Sequence, residues 1–380
     1  MSHDSHHAKQ DEHPLTFKGE ISRRDFLRAA GVVAAGALVA GCQKQSLPEA
    51  VSNPSSGTPQ ARVAIVQAKT YDRETIKKAV YDLVDKLGGM SSVVKRGDIV
   101  AIKPNLTGGV STNPLPGVKA IESYITHPEV VRALGELVLV AGAKKIYIVE
   151  SVYEWASYTQ WGYEEVAASL EATLIDLNDS KPYNDFVEAS VGDGSFIYPK
   201  FKFNQLLQDV NVFMSVSKMK NHYNAGVTHT MKNLFGCAPA HFYNLKSSDN
   251  TRTGFHGQAN ETRTRLPRVI VDVNRARPIH FALIDGILTA EAGEGPWIST
   301  MTPVAPGVLI AGKSALATDA VATAVMGFDP TANFPDAPFL RCDNHLNLAA
   351  AAGLGTNRLN EIEVVGASIK DVRYQFTPAK

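Results

Sequence analysis

The stretch KMKNHYNAGVTHTMKNLFG, residues 218–236, gathers three lysines, two histidines and three asparagines just after the apolar run NVFMSV. Within it, Lys220, His222, Lys232 and Asn233 are the candidate catalytic residues. Amines and imidazoles bind anions and exchange protons near neutral pH, and close lysines lower one another's pKa. We therefore predict that the stretch acts on a small anionic substrate. The alternative is a surface loop whose lysines are solvated.

A helix is predicted to begin within this stretch, at THTMKNLFG, with Thr228 as its N-cap. This start would place His229, Lys232 and Asn233 on one face. A helix N-terminus offers free N–H groups and a partial positive charge, so it binds anions. His229 and Lys218 are therefore predicted to bind the substrate.

Further polar residues follow apolar runs elsewhere in the chain. Lys103 and Asn105 come at the end of GDIVAIKPN, and ligands in open α/β sheets bind beyond the carboxyl ends of strands. In EAGEGPW, Gly293 and Gly295 would let the backbone approach a ligand closely. These four residues are predicted to bind the substrate.

A divalent metal is one candidate cofactor. Asp285, Glu291 and His127 are the predicted ligands, since carboxylates and imidazoles are common metal ligands. His222 and His229 are seven residues apart, which is a weak motif without a third ligand. For His127, which precedes a proline, the alternative is that it caps a helix.

The N-terminus indicates export. Arg23 and Arg24 in SRRDFLR precede the apolar run 29–41, which is shorter than the roughly 20 residues that span a bilayer. This arrangement resembles the twin-arginine export motif. LVAGC resembles a lipobox in which Cys42 is lipidated, and the alternative is an ordinary cleaved signal. Gln43 in place of Asp would permit sorting to an outer membrane.

These features predict a signal over 1–42, a flexible linker rich in Pro and Ser over 43–61, and one domain over 62–380. The expected location is the periplasmic side of a membrane, through a lipid anchor, with the twin-arginine machinery as a partner. Basic and acidic residues both number 38, so no nucleic-acid partner is expected. Only Cys237 and Cys342 follow Cys42, and an iron–sulfur cluster needs about four protein ligands, so we expect none ligated by this chain.

The elements that would position these residues alternate between strand and helix. Apolar runs at 62–67, 97–105 and 144–151 indicate strands, and helical spacing marks 73–89 and 127–143. The predicted fold is α/β, with a mostly parallel sheet and helices on both faces. Long connections are predicted to form a cleft at the carboxyl ends of the strands. They lie near 105–126, 180–205, 237–262 and 287–305.

The chain resembles the family known as domain of unknown function 362. The motifs that carry the resemblance span about 62–366 and include KPN at 103–105, THPEVVRALGELVLVAGAKKIYIVES at 126–151, the stretch 218–236, ALIDGI, GEGP and ATDAVATAVMGFDP. Some relatives carry a ferredoxin-type cysteine segment and are associated with iron–sulfur proteins, but this sequence lacks it. Relatives also tend to have Met-Glu-Gly where this chain has Ala290, Glu291 and Ala292. The resemblance implies a shared site rather than a named reaction.

Three functions fit the sequence and leave open whether the protein is an enzyme. The first is an exported enzyme that acts on a small anionic substrate, with or without the assistance of a bound metal. The second is a lipid-tethered protein that binds a ligand or metal. The third is an accessory factor of a redox system that contains iron–sulfur proteins. Twin-arginine export moves folded proteins, which favours the first.

Overall fold

A large, mostly parallel β-sheet forms the centre of the computed structural model, which describes residues 59–112, 114–246 and 251–380. The strand order is β12-β1-β11-β9-β7-β2-β3-β4, with β8 added beside β7 and β10 beside β9, while β5 and β6 form a separate pair. The strands are β1 (Ala61–Gln67), β2 (Ile99–Lys103), β3 (Lys145–Glu150), β4 (Thr173–Asp176), β5 (Phe186–Ser190), β6 (Lys200–Asn204), β7 (Val212–His222), β8 (Gly226–Thr228), β9 (Phe281–Glu291), β10 (Thr302–Val304), β11 (Val308–Gly312) and β12 (Ile362–Gly366).

The predicted signal and most of the predicted linker lie outside the described residues, together with Arg23, Arg24 and Cys42. Among the residues described, no helix is long and apolar enough to cross a bilayer.

Most of the strand ends that could form a binding site lie at one edge of the sheet. Along the strand order, β11 runs antiparallel to both its neighbours, β1 and β9, while the other adjacent pairs are parallel. The carboxyl ends of β2, β3, β7 and β9 therefore lie at the same edge. This confirms the predicted α/β class and its mostly parallel sheet.

Helices cover both faces of the sheet. The described helices are α1 (Arg73–Asp85), α2 (Pro128–Val140), α3 (Ala156–Gln160), α4 (Tyr163–Ser169), α5 (Leu206–Asp209), α6 (Thr230–Asn233), α7 (Thr253–His256), α8 (Thr262–Ala276), α9 (Ala315–Val325), α10 (His345–Ala351) and α11 (Ile369–Val372). Side chains of α1, α2 and α4 pack with Ile102 of β2, whereas α8 packs with the neighbouring Ala101. Successive strand residues face opposite sides, so the two helix layers lie on opposite faces.

Strand β7 is longer than the apolar run that predicts it. It continues through Lys218, Lys220 and His222 and then folds back into β8, and every residue of the strand is buried. The polar sequence KMKNH suggests a loop, but the two lysine amines find hydrogen-bond partners inside the protein. Since buried polar groups are tolerated when they are paired, the strand extends into the site.

Candidate functional site

A cavity of about 650 Å³ opens at the carboxyl edge of the sheet. The predicted residues that line it are Lys103, Asn105, Lys220, His222, Lys232 and Asn233. Its walls come from the loop 106–112, the segment 251–256, and the turn that carries Glu294 and Trp297. The cleft predicted at the strand ends is therefore present, and it gathers residues from β2, β3, β7 and α6.

A fully paired lysine forms part of the cavity floor. Lys103 Nζ donates to Glu150 Oε2 at 2.8 Å, to Asn233 Oδ1 at 3.0 Å and to the carbonyl oxygen of Pro104 at 3.0 Å. The side chains of Lys103 and Glu150 are 0% and 5% exposed. Because an ammonium has three protons to donate, Lys103 has none left for a substrate. Its contact with Asn233 instead fixes that side chain.

The two asparagines at the cavity share one hydrogen bond. Asn105 Nδ2 donates to Asn233 Oδ1 at 3.1 Å, and Asn233 Nδ2 donates to Ser215 Oγ and to the Lys103 carbonyl. Asn105 Oδ1 is buried without a hydrogen-bond partner among the described residues. Asn233 is therefore held on every side, while Asn105 keeps an unused acceptor.

Lys220 is held by neutral acceptors. Its Nζ donates to the carbonyl oxygens of Tyr124 at 2.8 Å and Glu294 at 2.9 Å, and no ion pair reaches it within the described ranges. Burial lowers the pKa of Lys220 well below its ordinary value, although the nearby Glu294 raises it. Two of its N–H groups are donated, so Lys220 has a third N–H for a ligand when it is protonated.

Lys232 is held more loosely than the other lysines of the cavity. Its Nζ lies 3.9 Å from the centroid of the Phe235 ring, and within the described part of the chain no hydrogen bond or ion pair reaches it. The residue is only 8% exposed. Burial lowers the pKa of Lys232 from 10.5 to about 7, despite the attraction of Glu294. This side chain is thus a nearly buried amine that lacks a partner and lines the cavity.

Two imidazoles line the cavity beside this lysine. His222 Nδ1 accepts a hydrogen bond from the Asn224 backbone N–H at 3.1 Å, so the neutral ring carries its proton on Nε2. Burial and the charge of Lys232 lower the pKa of His222 well below its ordinary value. The same two causes lower the pKa of His256 to about 4. At neutral pH both rings are therefore uncharged, and His222 offers its Nε2–H as a hydrogen-bond donor.

Glu294 supplies a negative charge at the cavity. Its Oε2 accepts from the Tyr223 N–H at 2.9 Å and its Oε1 from Trp297 Nε1 at 3.1 Å. The packing of Trp297 explains why residue 295 is a glycine, because a Cβ at Gly295 would lie 2.2 Å from the indole ring. A Cβ at Gly293 would lie 2.7 Å from Ile298. Both glycines are needed for packing of the turn, and neither is among the residues that line the cavity.

The predicted anion site at the helix N-terminus is occupied by the protein's own carboxylate. Helix α6 spans only Thr230–Asn233, and the backbone N–H groups of Thr230 and Met231 each donate to Asp319 at 2.9 Å. His229, not Thr228, occupies the N-cap position. The His229 ring contacts Met326 Sδ at 3.2 Å and does not line the cavity, so it does not share a face with Lys232.

Lys218 belongs to a separate buried network. Its Nζ donates to Asp285 Oδ2 at 2.9 Å and to the Tyr71 hydroxyl at 2.8 Å, and the side chains of Lys218 and Asp285 are both 0% exposed. The Tyr71 hydroxyl also donates to Asp285 Oδ1 at 2.6 Å. This network neutralises both charges and does not line the cavity.

The three predicted metal ligands do not converge. Asp285 is engaged by Lys218, and His127 caps α2 by accepting from the Glu129 N–H at 3.2 Å while its ring stacks on Tyr71. Glu291 instead accepts from the backbone and hydroxyl of Thr377. Among the residues that the structure describes, no group of three or more His, Cys, Asp or Glu side chains could hold a metal ion. For His127, the capping alternative is the one observed.

The matching family model covers the strands and the helix that build this cavity. A model described as domain of unknown function DUF362 matches residues 100–324, more than half of the chain. The chain belongs to the DUF362 family. A second model, for the twin-arginine translocation signal, matches residues 20–40, so this DUF362 protein carries a signal for export from the cytoplasm.

Three individual proteins are also similar to this DUF362 chain, with sequence identities between 13% and 26%. A thylakoid-associated protein of Synechocystis sp. is 26% identical over 270 residues, which are 70% of this chain and 75% of that protein. A Thermotoga maritima protein of known crystal structure shares 13% identity at a TM-score of 0.35, over 66% of this chain and 57% of its own. The lactate racemase apoprotein from Thermoanaerobacterium thermosaccharolyticum shares 14% sequence identity at a TM-score of 0.34, over 65% of this chain and 54% of its own. Neither structure bears on the activity of this chain.

Several residues of the DUF362 cavity are missing from the predicted site. Arg252 lines it, with Nε donating to the Ala238 carbonyl at 2.5 Å and Nη2 to the Ser151 carbonyl at 3.3 Å. His256 and Trp297 also contribute walls. All three lie in the long connections that the sequence predicts as walls of a cleft. The length of those loops is a signal for a wall, but nothing in their pattern singles out these side chains.

Proposed function

We propose that the protein is an exported enzyme that binds a small anionic substrate in the DUF362 cavity and transfers a proton through Lys232. The observation that carries the proposal is the Lys232 amine, which is nearly buried and has no hydrogen-bond or ion-pair partner among the described residues. A buried cation without a partner costs stability. A carboxylate or phosphate of the substrate would supply the missing partner.

The surrounding groups suit such a ligand. Lys220, once protonated, would add a second contact to the anion through its third N–H, because its other two protons are donated to carbonyl oxygens. Asn105 would contact the substrate, and Asn233, whose hydrogen-bonding groups are all used within the protein, would hold Asn105 in position. Lys103 itself would act through position rather than by contact.

Proton transfer follows from the charge state of the cavity. A general acid or base works best when its pKa lies near the operating pH, and burial places the pKa of Lys232 at about 7. The Nε2–H of His222 would donate a hydrogen bond to the bound substrate while Lys232 gives or takes the proton. No step of the proposal runs through a metal, and a metal-assisted reaction remains a separate hypothesis.

A ligand-binding role is the second candidate, since the same cavity would serve it without any proton transfer. We also propose that Cys42 is lipidated and anchors the protein on the periplasmic side of a membrane, the outer membrane included. Lipid anchoring would keep either activity at a membrane surface. The redox accessory role has no feature of the cavity in its favour.

Calorimetric titration of the mature protein with acetate, pyruvate, 2-oxoglutarate and inorganic phosphate, against acetamide, tests anion binding. We expect acids to bind and the amide not to bind. Lys232→Met should weaken acid binding by about tenfold to a hundredfold, because a charge-assisted hydrogen bond is lost. Lys119→Met is the matched control, since the side chain of Lys119 is 72% exposed.

The same incubations in deuterated water separate the two functions. Deuterium entering carbon positions next to a carbonyl or carboxyl carbon of the acid, read by NMR and lost with Lys232→Met, is the result expected of an enzyme. Binding without exchange or conversion would favour the ligand-binding role. Failure of every acid to bind, with wild type and Lys232→Met behaving alike, would overturn the proposal.

A further inference from the structure

The lysine amines at the cavity differ in how they are held. Lys103 uses all three protons on internal acceptors, and Lys220 uses two on backbone carbonyls. Lys232 uses none among the described residues and lies against the face of Phe235. An amine can act as a nucleophile only when its nitrogen lone pair is free of a proton. Lys220 also has a lowered pKa, but two carbonyl oxygens hold its amine, so among the described residues Lys232 is the lysine of the three whose amine no internal hydrogen bond holds in place.

We propose that Lys232 forms an imine with the carbonyl carbon of a small 2-oxo acid bound in the cavity. The carboxylate of such an acid would pair with the third N–H of protonated Lys220, and its carbonyl carbon would face the Lys232 amine. The proposal rests on the proposed function for the preference for anions, and it adds a covalent step and a substrate class. A cavity of about 650 Å³ admits acids of this size.

The step balances without any further reagent. The lone pair of Lys232 Nζ attacks the carbonyl carbon, the C=O π bond breaks, and its electron pair moves to oxygen, which takes a proton. The nitrogen loses one proton, the hydroxyl group leaves as water after a second protonation, and the protonated imine that forms gives up this second proton when it becomes neutral. The overall change is amine plus carbonyl to imine plus water, so nothing is oxidised or reduced. The protons that the nitrogen releases equal those that the oxygen takes up, and the His222 Nε2–H is placed to donate a hydrogen bond to that oxygen.

Two groups offset part of the cost of a charged, protonated imine, which burial and the charges of Arg252 and Lys103 oppose. The Phe235 ring, 3.9 Å from Nζ, would stabilise a cation at this position, and the Glu294 carboxylate attracts the positive charge of Lys232. Burial holds the pKa of Lys232 at about 7, so a large fraction of the amine is unprotonated at neutral pH. An exposed lysine with an ordinary pKa would be almost fully protonated there.

Reductive trapping tests the proposal. The mature protein is incubated with glyoxylate, pyruvate or 2-oxoglutarate, sodium borohydride is added, and intact mass and peptide mapping follow. An imine reduced by hydride leaves an adduct whose mass is that of the acid less one oxygen atom. We expect the adduct on Lys232, formed at least about tenfold faster than on exposed Lys119.

Lys232→Arg is the matched variant, because it keeps the positive charge but cannot form an imine. It should still bind the acids by calorimetry and give no adduct beyond the background. If the acids bind the wild type but Lys232 is not trapped, or is trapped no faster than Lys119, the imine is overturned and the anion-binding cavity stands. If no acid binds and none is trapped, both proposals fall.

Discussion

Replacing Lys232 by methionine should make the folded protein more stable, although it removes a residue of the proposed active site. Burial lowers the pKa of Lys232 from 10.5 to about 7, so the folded state disfavours the ammonium relative to the unfolded chain. At about 1.4 kcal/mol for each pH unit, this difference of about 3.5 units sets an upper limit of about 5 kcal/mol on the penalty. Methionine fills similar space without the charge.

The expected gain is smaller than this limit and depends on pH. Lys232 keeps 8% exposure and the Phe235 ring stabilises the cation, so we expect the free energy of unfolding to rise by about 1–3 kcal/mol. The folded-state pKa is depressed, and the wild type therefore loses stability as the pH falls from 10.5 through about 7. The advantage of Lys232→Met should be full below about pH 7 and vanish near pH 10.5.

Urea unfolding of both proteins at a series of pH values measures this effect. Lys103→Met is the matched control, because Lys103 is buried at the same cavity but paired with Glu150 at 2.8 Å. Its loss leaves a buried carboxylate without its partner, and we expect a decrease of about 3–5 kcal/mol. Equal destabilisation by the two substitutions, or a gain for Lys232→Met that does not change with pH, would refute the reasoning.

Three further predictions concern the supports of the site and the anchor. Asp319→Asn places an amide N–H against the donors of Thr230, so the free energy of unfolding in urea should fall by about 1–3 kcal/mol, and no change would contradict the capping role. Gly236→Ala puts a Cβ 1.8 Å from Glu150 Oε1, so we expect a lower melting temperature, at a cost of about 2–4 kcal/mol; an unchanged melting curve would show that the floor can shift freely. Cys42→Ala should abolish labelling by radioactive palmitate and release the protein from membranes, and persistent labelling would disprove lipidation at that residue.

The sheet could be predicted because each parallel strand is a short apolar run followed by a helical pattern. The continuation of β7 through Lys218 and Lys220 could not, since its polar residues resemble a loop. The strand can be buried there because each lysine amine has a hydrogen-bond partner inside the protein. The partner of Lys218 is Asp285, which lies 67 positions away in the sequence. Pairing over that distance leaves no local periodicity.

The site was predictable to the extent that strand ends define it. Lys103, Lys220 and Lys232 were predicted from position and residue type, and all three line the cavity. His229 was misplaced because the N-terminus of α6 is capped by Asp319, 89 positions away from Thr230. A carboxylate in an apolar helix signals that a partner is needed, but the sequence does not say which residue provides it.

The ionisation of the Lys232 amine tests the central claim most directly. Lysine side chains labelled with carbon-13 at Cε can be titrated by NMR in the wild type and in Lys232→Met. We predict one resonance that titrates at about pH 7, is absent from the variant, and moves to higher pH when a bound acid pairs with the ammonium. If the wild type shows no lysine resonance that titrates well below 10.5 and disappears in Lys232→Met, the Lys232 amine is not the unpaired amine that we describe.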